Sequence, residues 1–129
     1  MLSTEFITTL KPNEVFVYGS NTAGHHGRGA AKQAEQWGAK RGIGFGLSGQ
    51  TFGIPTKDHH IRVLPISEIQ KYVAMFIEFA KLHPELQFLV TAIGCGLAKY
   101  EPKDIAPLFK EAKEILNIHL PQEFLKHLY

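Results

Sequence analysis

The residues best placed to do chemistry lie in two glycine-rich stretches. One is Gly19-Ser20-Asn21-Thr22-Ala23-Gly24-His25-His26-Gly27-Arg28-Gly29, and the other is Gly94-Cys95-Gly96-Leu97-Ala98-Lys99-Tyr100. Each follows an apolar run that reads as a buried strand, and each precedes a helical pattern. Glycines without a Cβ let main-chain N–H groups converge on phosphate oxygens, and a helix start adds partial positive charge. Arg28 stands where the first of those helices opens and can pair with the same anion. Taken singly, each stretch is equally well read as a tight turn that needs glycine for positive φ. As a pair, they point to an anionic ligand.

Other candidate motifs resolve against chemistry. Gly44-Phe45-Gly46-Leu47-Ser48-Gly49 is a literal G-x-G-x-x-G, but a dinucleotide fingerprint needs a helix directly after it. Here Gln50-Thr51-Phe52-Gly53-Ile54 reads as extended chain, so these glycines are expected to serve bulged or closely packed backbone. No G-x-x-x-x-G-K-[ST] occurs. Cys95 has no histidine in a catalytic pattern with it and reads as a small residue packed in a turn. His25-His26 and His59-His60 lack the i,i+4 spacing of a zinc helix, and no carboxylate or thiolate cluster completes a site. Neither a metal nor a cofactor is expected, and His25 and His26 are candidates to line the mouth of a ligand site. Among the aromatics, Trp37, Tyr72, Phe76 and Phe79 fall at helical core spacing. Phe45, Phe52 and Tyr100 lie in or beside loops, and Tyr100 is the best candidate to stack on a ligand ring.

The elements that must position these loops follow from periodicity. Glu14–Tyr18 is β-branched and aromatic, a strand buried on both faces. Arg28–Trp37 carries Gly29, Ala30, Ala31 and Ala34 along one side of a helix. A second strand is expected over Thr51–Ile54, with Pro55 near its end. Ser67 with Gln70 three residues on reads as a capping box. It opens a helix to about Leu82 with Ile69, Val73, Phe76, Ile77 and Ala80 as its apolar stripe. Gln87–Ile93 is a further apolar run. Pro102 opens a helix that buries Ile105, Leu108, Phe109 and Ala112. Asn117–Leu120 reads as a last strand and Pro121–Tyr129 as a short closing helix. Strands alternating with helices predict an α/β fold with a mostly parallel central sheet flanked by helices. In such sheets ligands bind beyond the C-terminal strand ends.

The 129 residues suit one domain over 1–129, and the 44% hydrophobic content suits a packed core rather than a disordered chain. Fourteen Lys and Arg against twelve Asp and Glu give +2, with the basic residues scattered, which argues against a nucleic-acid partner. A single cysteine excludes an internal disulfide and suits a reducing compartment. Met1–Leu10 lacks the pattern of a signal peptide, and no apolar stretch has the length of a membrane span. The expectation is a cytoplasmic protein with no membrane partner.

Three words of this sequence resemble the macrodomain family: F-V-Y-G-S-N-T-A-G-H-H-G-R-G-A-A, then G-I-P-T-K-D, then F-L-V-T-A-I-G-C-G-L-A. The similarity spans about residues 14–110 and is strongest toward the branch that removes ADP-ribose from acidic side chains. It implies a three-layer α/β/α fold and, as ligand, ADP-ribose or a close derivative, free or on an ADP-ribosylated substrate. By that resemblance Gly19, Ser20, Asn21, Gly27, Arg28, Gly29 and Ala30 would cradle one side of the diphosphate. Ile93, Gly94, Cys95, Gly96, Leu97 and Ala98 would close over the other side, with Thr56 and Tyr100 beside them. It further implies that Lys57, in Ile54-Pro55-Thr56-Lys57, is the catalytic amine attacking the anomeric carbon of the distal ribose. Two positions depart from the family. The aspartate expected after Gly94-Cys95-Gly96-Leu97 is Ala98, and Met1–Pro12 lacks the Gly-Asp pair that would read adenine, Glu5 being the only acid there.

Three functions follow from this reading. The protein is a binder of ADP-ribose, an ADP-ribosyl hydrolase using Lys57, or a protein-interaction module whose pocket is vestigial.

Overall fold

The computed structural model of the protein describes residues 7–27, 29–96 and 98–129. Its layout begins in β1 (Glu14–Asn21), whose side chains alternate between two apolar clusters. Val15 and Val17 join one cluster, and Phe16 and Tyr18 join the other. That is the period-two signature of a strand covered on both faces.

Around β1 lies a five-stranded sheet in the order β2-β3-β1-β4-β5. It comprises β2 (Gly46–Ser48), β3 (Thr51–Lys57), β4 (Gln87–Val90) and β5 (Ile118–His119) in addition to β1. The pairs β1·β3, β1·β4 and β4·β5 are parallel, and only β2·β3 is antiparallel. The sheet is therefore mixed and mostly parallel, as the alternation of elements predicts. Both outer strands are very short.

The first face carries the larger cluster. There α2 (Ile66–Lys81) buries Ile69, Val73, Phe76, Ile77 and Ala80, the stripe expected from the sequence. Phe76 lies at the centre, with ring centroids 5.1 Å from Phe52 and 5.4 Å from Phe88. The second face is covered by α1 (Gly29–Ala34), whose Ala31 and Ala34 pack against Phe16 and Tyr18. Burial, reinforced by Glu35, pushes the Tyr18 phenol up to about 12.

Several boundaries differ from expectation for identifiable reasons. Ser67 does not cap α2: extended Pro65 precedes the helix and its carbonyl accepts the Glu68 amide, which leaves Ser67 inside the first turn. The helix expected over 28–37 is six residues long and tightens into a 3₁₀ turn at Glu35–Trp37. Pro102 does open α3 (Pro102–Ile105), helped by a reciprocal cap between Glu101 and Asp104. The α-helix ends after one turn and continues as 3₁₀ turns over Ala106–Phe109 and Glu111–Glu114. Pro107 explains this, since it has no N–H to donate back to an i−4 carbonyl. Ile105, Phe109 and Ala112 are still buried, and Leu108 is half-buried. The chain closes with α4 (Gln122–Leu125). Among the described residues no helix is long and apolar enough to cross a membrane.

Candidate functional site

The order β3-β1-β4 sets the C-terminal ends of three parallel strands side by side. Beyond them opens a cleft of about 530 Å³. Gly19, Ser20, Asn21, Gly27, Gly29 and Ala30 line it from the first glycine loop, and Ile93, Gly94, Gly96 and Ala98 from the second. Thr56 and Lys57, at the end of β3, also line it. The two loops touch directly: a Cβ on Gly19 would lie 3.5 Å from the Gly94 amide nitrogen and 3.6 Å from Ile93 Cβ. The cleft is open space, not filled by side chains.

Local chemistry holds the first loop in shape. The β1 ladder slips register between Ser20 and Asn21, and past the slip Asn21 pairs with Lys57 of β3 and the Thr22 N–H donates to the Lys57 carbonyl at 3.0 Å. Asn21 then grips the loop at both ends of its amide, with Nδ2 donating to the His25 carbonyl and Oδ1 accepting the His25 N–H, each at 2.9 Å. The Ser20 hydroxyl donates to the Gly44 carbonyl. Gly44 packs so closely that a Cβ there would overlap the Asn21 carbonyl oxygen. This is the role of the second glycine segment, whose Gly46–Ser48 is strand and not the start of a helix. Asn21→Asp is expected to destabilise the protein by about 1–3 kcal/mol, because a carboxylate oxygen would replace the donor facing the His25 carbonyl. Thermal melting of the variant beside wild type checks this.

The polar side chains of the lining are largely occupied by the fold. Thr56 Oγ1 donates to the Ser20 carbonyl at 3.3 Å and Thr91 Oγ1 to the Val17 carbonyl at 2.8 Å. Main-chain donors are different. Among the described residues no hydrogen bond takes up the N–H of Gly27, Gly94 or Gly96. Gly94 has φ of 76°, a conformation that glycine adopts without the penalty of a side chain. The described lining contains no carboxylate, and Lys57 supplies its permanent side-chain charge. Unpaired amides, one amine and no acid make an environment suited to an anion.

No family model matches the chain, and no curated protein matches it. Its fold is similar to a solved structure of a protein of unknown function from Bacteroides thetaiotaomicron. The likeness has a TM-score of 0.57 and 13% identity over 88% of this chain and 89% of the other. At that identity the likeness concerns the fold alone.

The residues singled out from the sequence divide as follows. Lys57 and all but four of the expected ligand contacts line the one cleft. Arg28 and Leu97 lie outside the described residues, as does Glu5. Cys95 and Tyr100 are placed elsewhere. Tyr100 turns its hydroxyl away to the Leu64 carbonyl at 2.7 Å and packs on the core, so it is not a stacking platform for the cleft. Cys95 is half-buried, with Sγ 3.5 Å from the Ile93 carbonyl. Burial, then Glu123 and Asp104, push its thiol up to about 11, which disfavours the reactive thiolate. Neither Phe45 nor Phe52 reaches the cleft: their rings pack on each other at 5.4 Å.

The two adjacent histidines part company. His25 lines the cleft, whereas His26 is buried, with Nδ1 3.2 Å from Glu35 Oε2 and its ring edge on Tyr18. Among the described residues no three His, Cys, Asp or Glu gather around a point that could hold a metal. Neither nearby aspartate substitutes for the acid missing at Ala98, which is itself buried. The Asp58 carboxylate accepts the main-chain N–H groups of His60 and Arg62, and the Asp104 carboxylate accepts that of Glu101. Ala31, Ile61, Thr91 and Ala92 complete the lining. Thr91 and Ala92 were within reach of sequence reasoning, since they fall at the end of the apolar run Gln87–Ile93 that enters the second glycine loop. Nothing in the sequence marks Ile61.

Proposed function

We propose that this chain is a macrodomain-like, three-layer α/β/α domain that binds ADP-ribose or a closely related nucleotide diphosphate. One observation carries the reading: two glycine loops separated by some seventy residues of chain bound a single open cleft. Gly27, Gly94 and Gly96, whose amide N–H groups have no hydrogen-bond partner among the described residues, line this cleft together with Lys57. The absence of carboxylates from the described lining favours a ligand with two negative charges. An open cleft also weighs against a vestigial pocket, which would be expected to fill with side chains.

Hydrolysis of ADP-ribosyl linkages is the second reading, favoured by the position of Lys57 in the cleft. With Ala98 where an acid would assist, and with Asp58 and Asp104 engaged in backbone caps, binding without turnover is the better-supported function. The protein would act on free or protein-attached ADP-ribose, in the cytoplasm, with no need of a metal or cofactor.

A thermal-shift titration tests the reading. ADP-ribose at a hundred times its Kd should stabilise the fold by about 2.7 kcal/mol. No shift at millimolar ADP-ribose would leave the protein-interaction module as the standing alternative.

A further inference from the structure

Ile61 combines three properties that are rarely found together. Its φ is 63°, in the left-handed region that β-branched residues avoid. Its side chain is 45% exposed. It also lines the cleft, as Lys57 does.

The surrounding hairpin over-determines this conformation. The Asp58 carboxylate accepts the N–H of His60 at 2.8 Å and that of Arg62 at 2.9 Å. The Ile61 N–H donates to the Asp58 carbonyl, and the Asp58 N–H to that of Arg62 at 2.7 Å. Lys57 pairs with Val63 across the base of the turn. The Arg62 N–H, and more weakly that of His60, holds the Asp58 carboxyl below its ordinary range. A glycine or asparagine would suit this backbone better, and with 45% of its surface exposed the isoleucine is no member of the buried core. Held strain of this kind belongs with sites where the strained residue has a task.

We infer that Ile61 is a ligand-positioning residue: the 58–62 hairpin holds its branched side chain over the cleft to cover the C–H face of a sugar ring attached to the diphosphate at the Lys57 end. The other large side chains near this rim are polar, and the remaining apolar lining is mostly alanine. An aliphatic branch rather than an aromatic plane suits a puckered furanose better than a flat base. This inference rests on the nucleotide-diphosphate reading and adds the sugar as a recognised element.

Covering the isoleucine removes on the order of 50 Å² from water, equivalent to about tenfold in affinity. The test compares wild type, Ile61→Gly and Ile61→Leu, each titrated calorimetrically with ADP-ribose and with inorganic pyrophosphate, and each melted without ligand. Ile61→Gly is expected to keep or raise the melting temperature while its Kd for ADP-ribose rises about tenfold. Its pyrophosphate Kd should stay within about twofold, and Ile61→Leu should retain most of the ADP-ribose affinity. Unchanged ADP-ribose affinity in Ile61→Gly would overturn the inference and leave the nucleotide reading standing, as would equal losses for both ligands. Failure of wild type to bind either ligand would instead overturn the nucleotide reading, and this inference with it.

Discussion

Gly44→Ala is expected to destabilise the protein by roughly 3 kcal/mol, the upper range for overpacking, and to abolish ligand binding with it. The added methyl would meet the Asn21 carbonyl oxygen and come within 3.1 Å of the Thr22 Cα. Every atom it meets is backbone, so no rotamer change can make room. Ser20 also donates to the Gly44 carbonyl, and Gly53 approaches the same carbonyl too closely to admit a Cβ of its own. Main chain from β1 and β3 thus converges on one residue, next to the first glycine loop. For a domain of this size the melting temperature should fall by roughly 10 °C. Gly96→Ala is the matched control: a Cβ there meets nothing within 4 Å, and its melting temperature should stay close to wild type. A Gly44→Ala protein that melts like Gly96→Ala would show that the close approach behind the loop does not exist.

Lys57→Ala is expected to weaken ADP-ribose binding by about ten- to a hundredfold, the range for losing one hydrogen bond to a charged group. Lys57 brings the permanent side-chain charge to a described lining that otherwise offers amides and small apolar groups. The loss should shrink as salt is raised, because part of it is Coulombic and screened. Lys57→Arg, which keeps the charge, should retain more affinity than Lys57→Ala. Calorimetric titration at two ionic strengths separates these outcomes, and equal affinity in Lys57→Ala would remove the amine from the site. The same variant decides the chemistry. Wild type is expected to leave ADP-ribose on glutamate-linked substrate, since no acid stands at Ala98. Release by wild type that vanishes in Lys57→Ala would establish the hydrolytic reading instead.

The parts of this molecule legible in its sequence are those set by short-range periodicity. The alternation Val15-Phe16-Val17-Tyr18 and the stripe Ile69, Val73, Phe76, Ile77, Ala80 announce a two-sided strand and a core-facing helix, and both appear as read. The two glycine loops could be paired because each follows such a strand. What could not be read depends on contacts across the chain. Asn21 lines the cleft as expected, but the engagement of its side-chain amide by His25 could not be read from residue type. Tyr100 resembles a stacking residue until Leu64, thirty-six positions away, claims its hydroxyl. Pro107 was visible, but its effect depended on whether the helix needed that amide, and three short turns stand where one long helix was expected. Ile61 escaped notice because positive φ leaves no trace in residue type when the residue is not glycine.

The shortness of the two outermost strands has a consequence for behaviour at high concentration. A sheet border is a row of unsatisfied donors and acceptors that can recruit a strand from another molecule. Here one border is three residues long and the other two, so neither offers the length that intermolecular pairing needs to propagate. Ile43, Phe45 and Leu47 are partly exposed along and beside the longer border, which makes its brevity matter. Lengthening that border would turn a protected rim into a template for self-association.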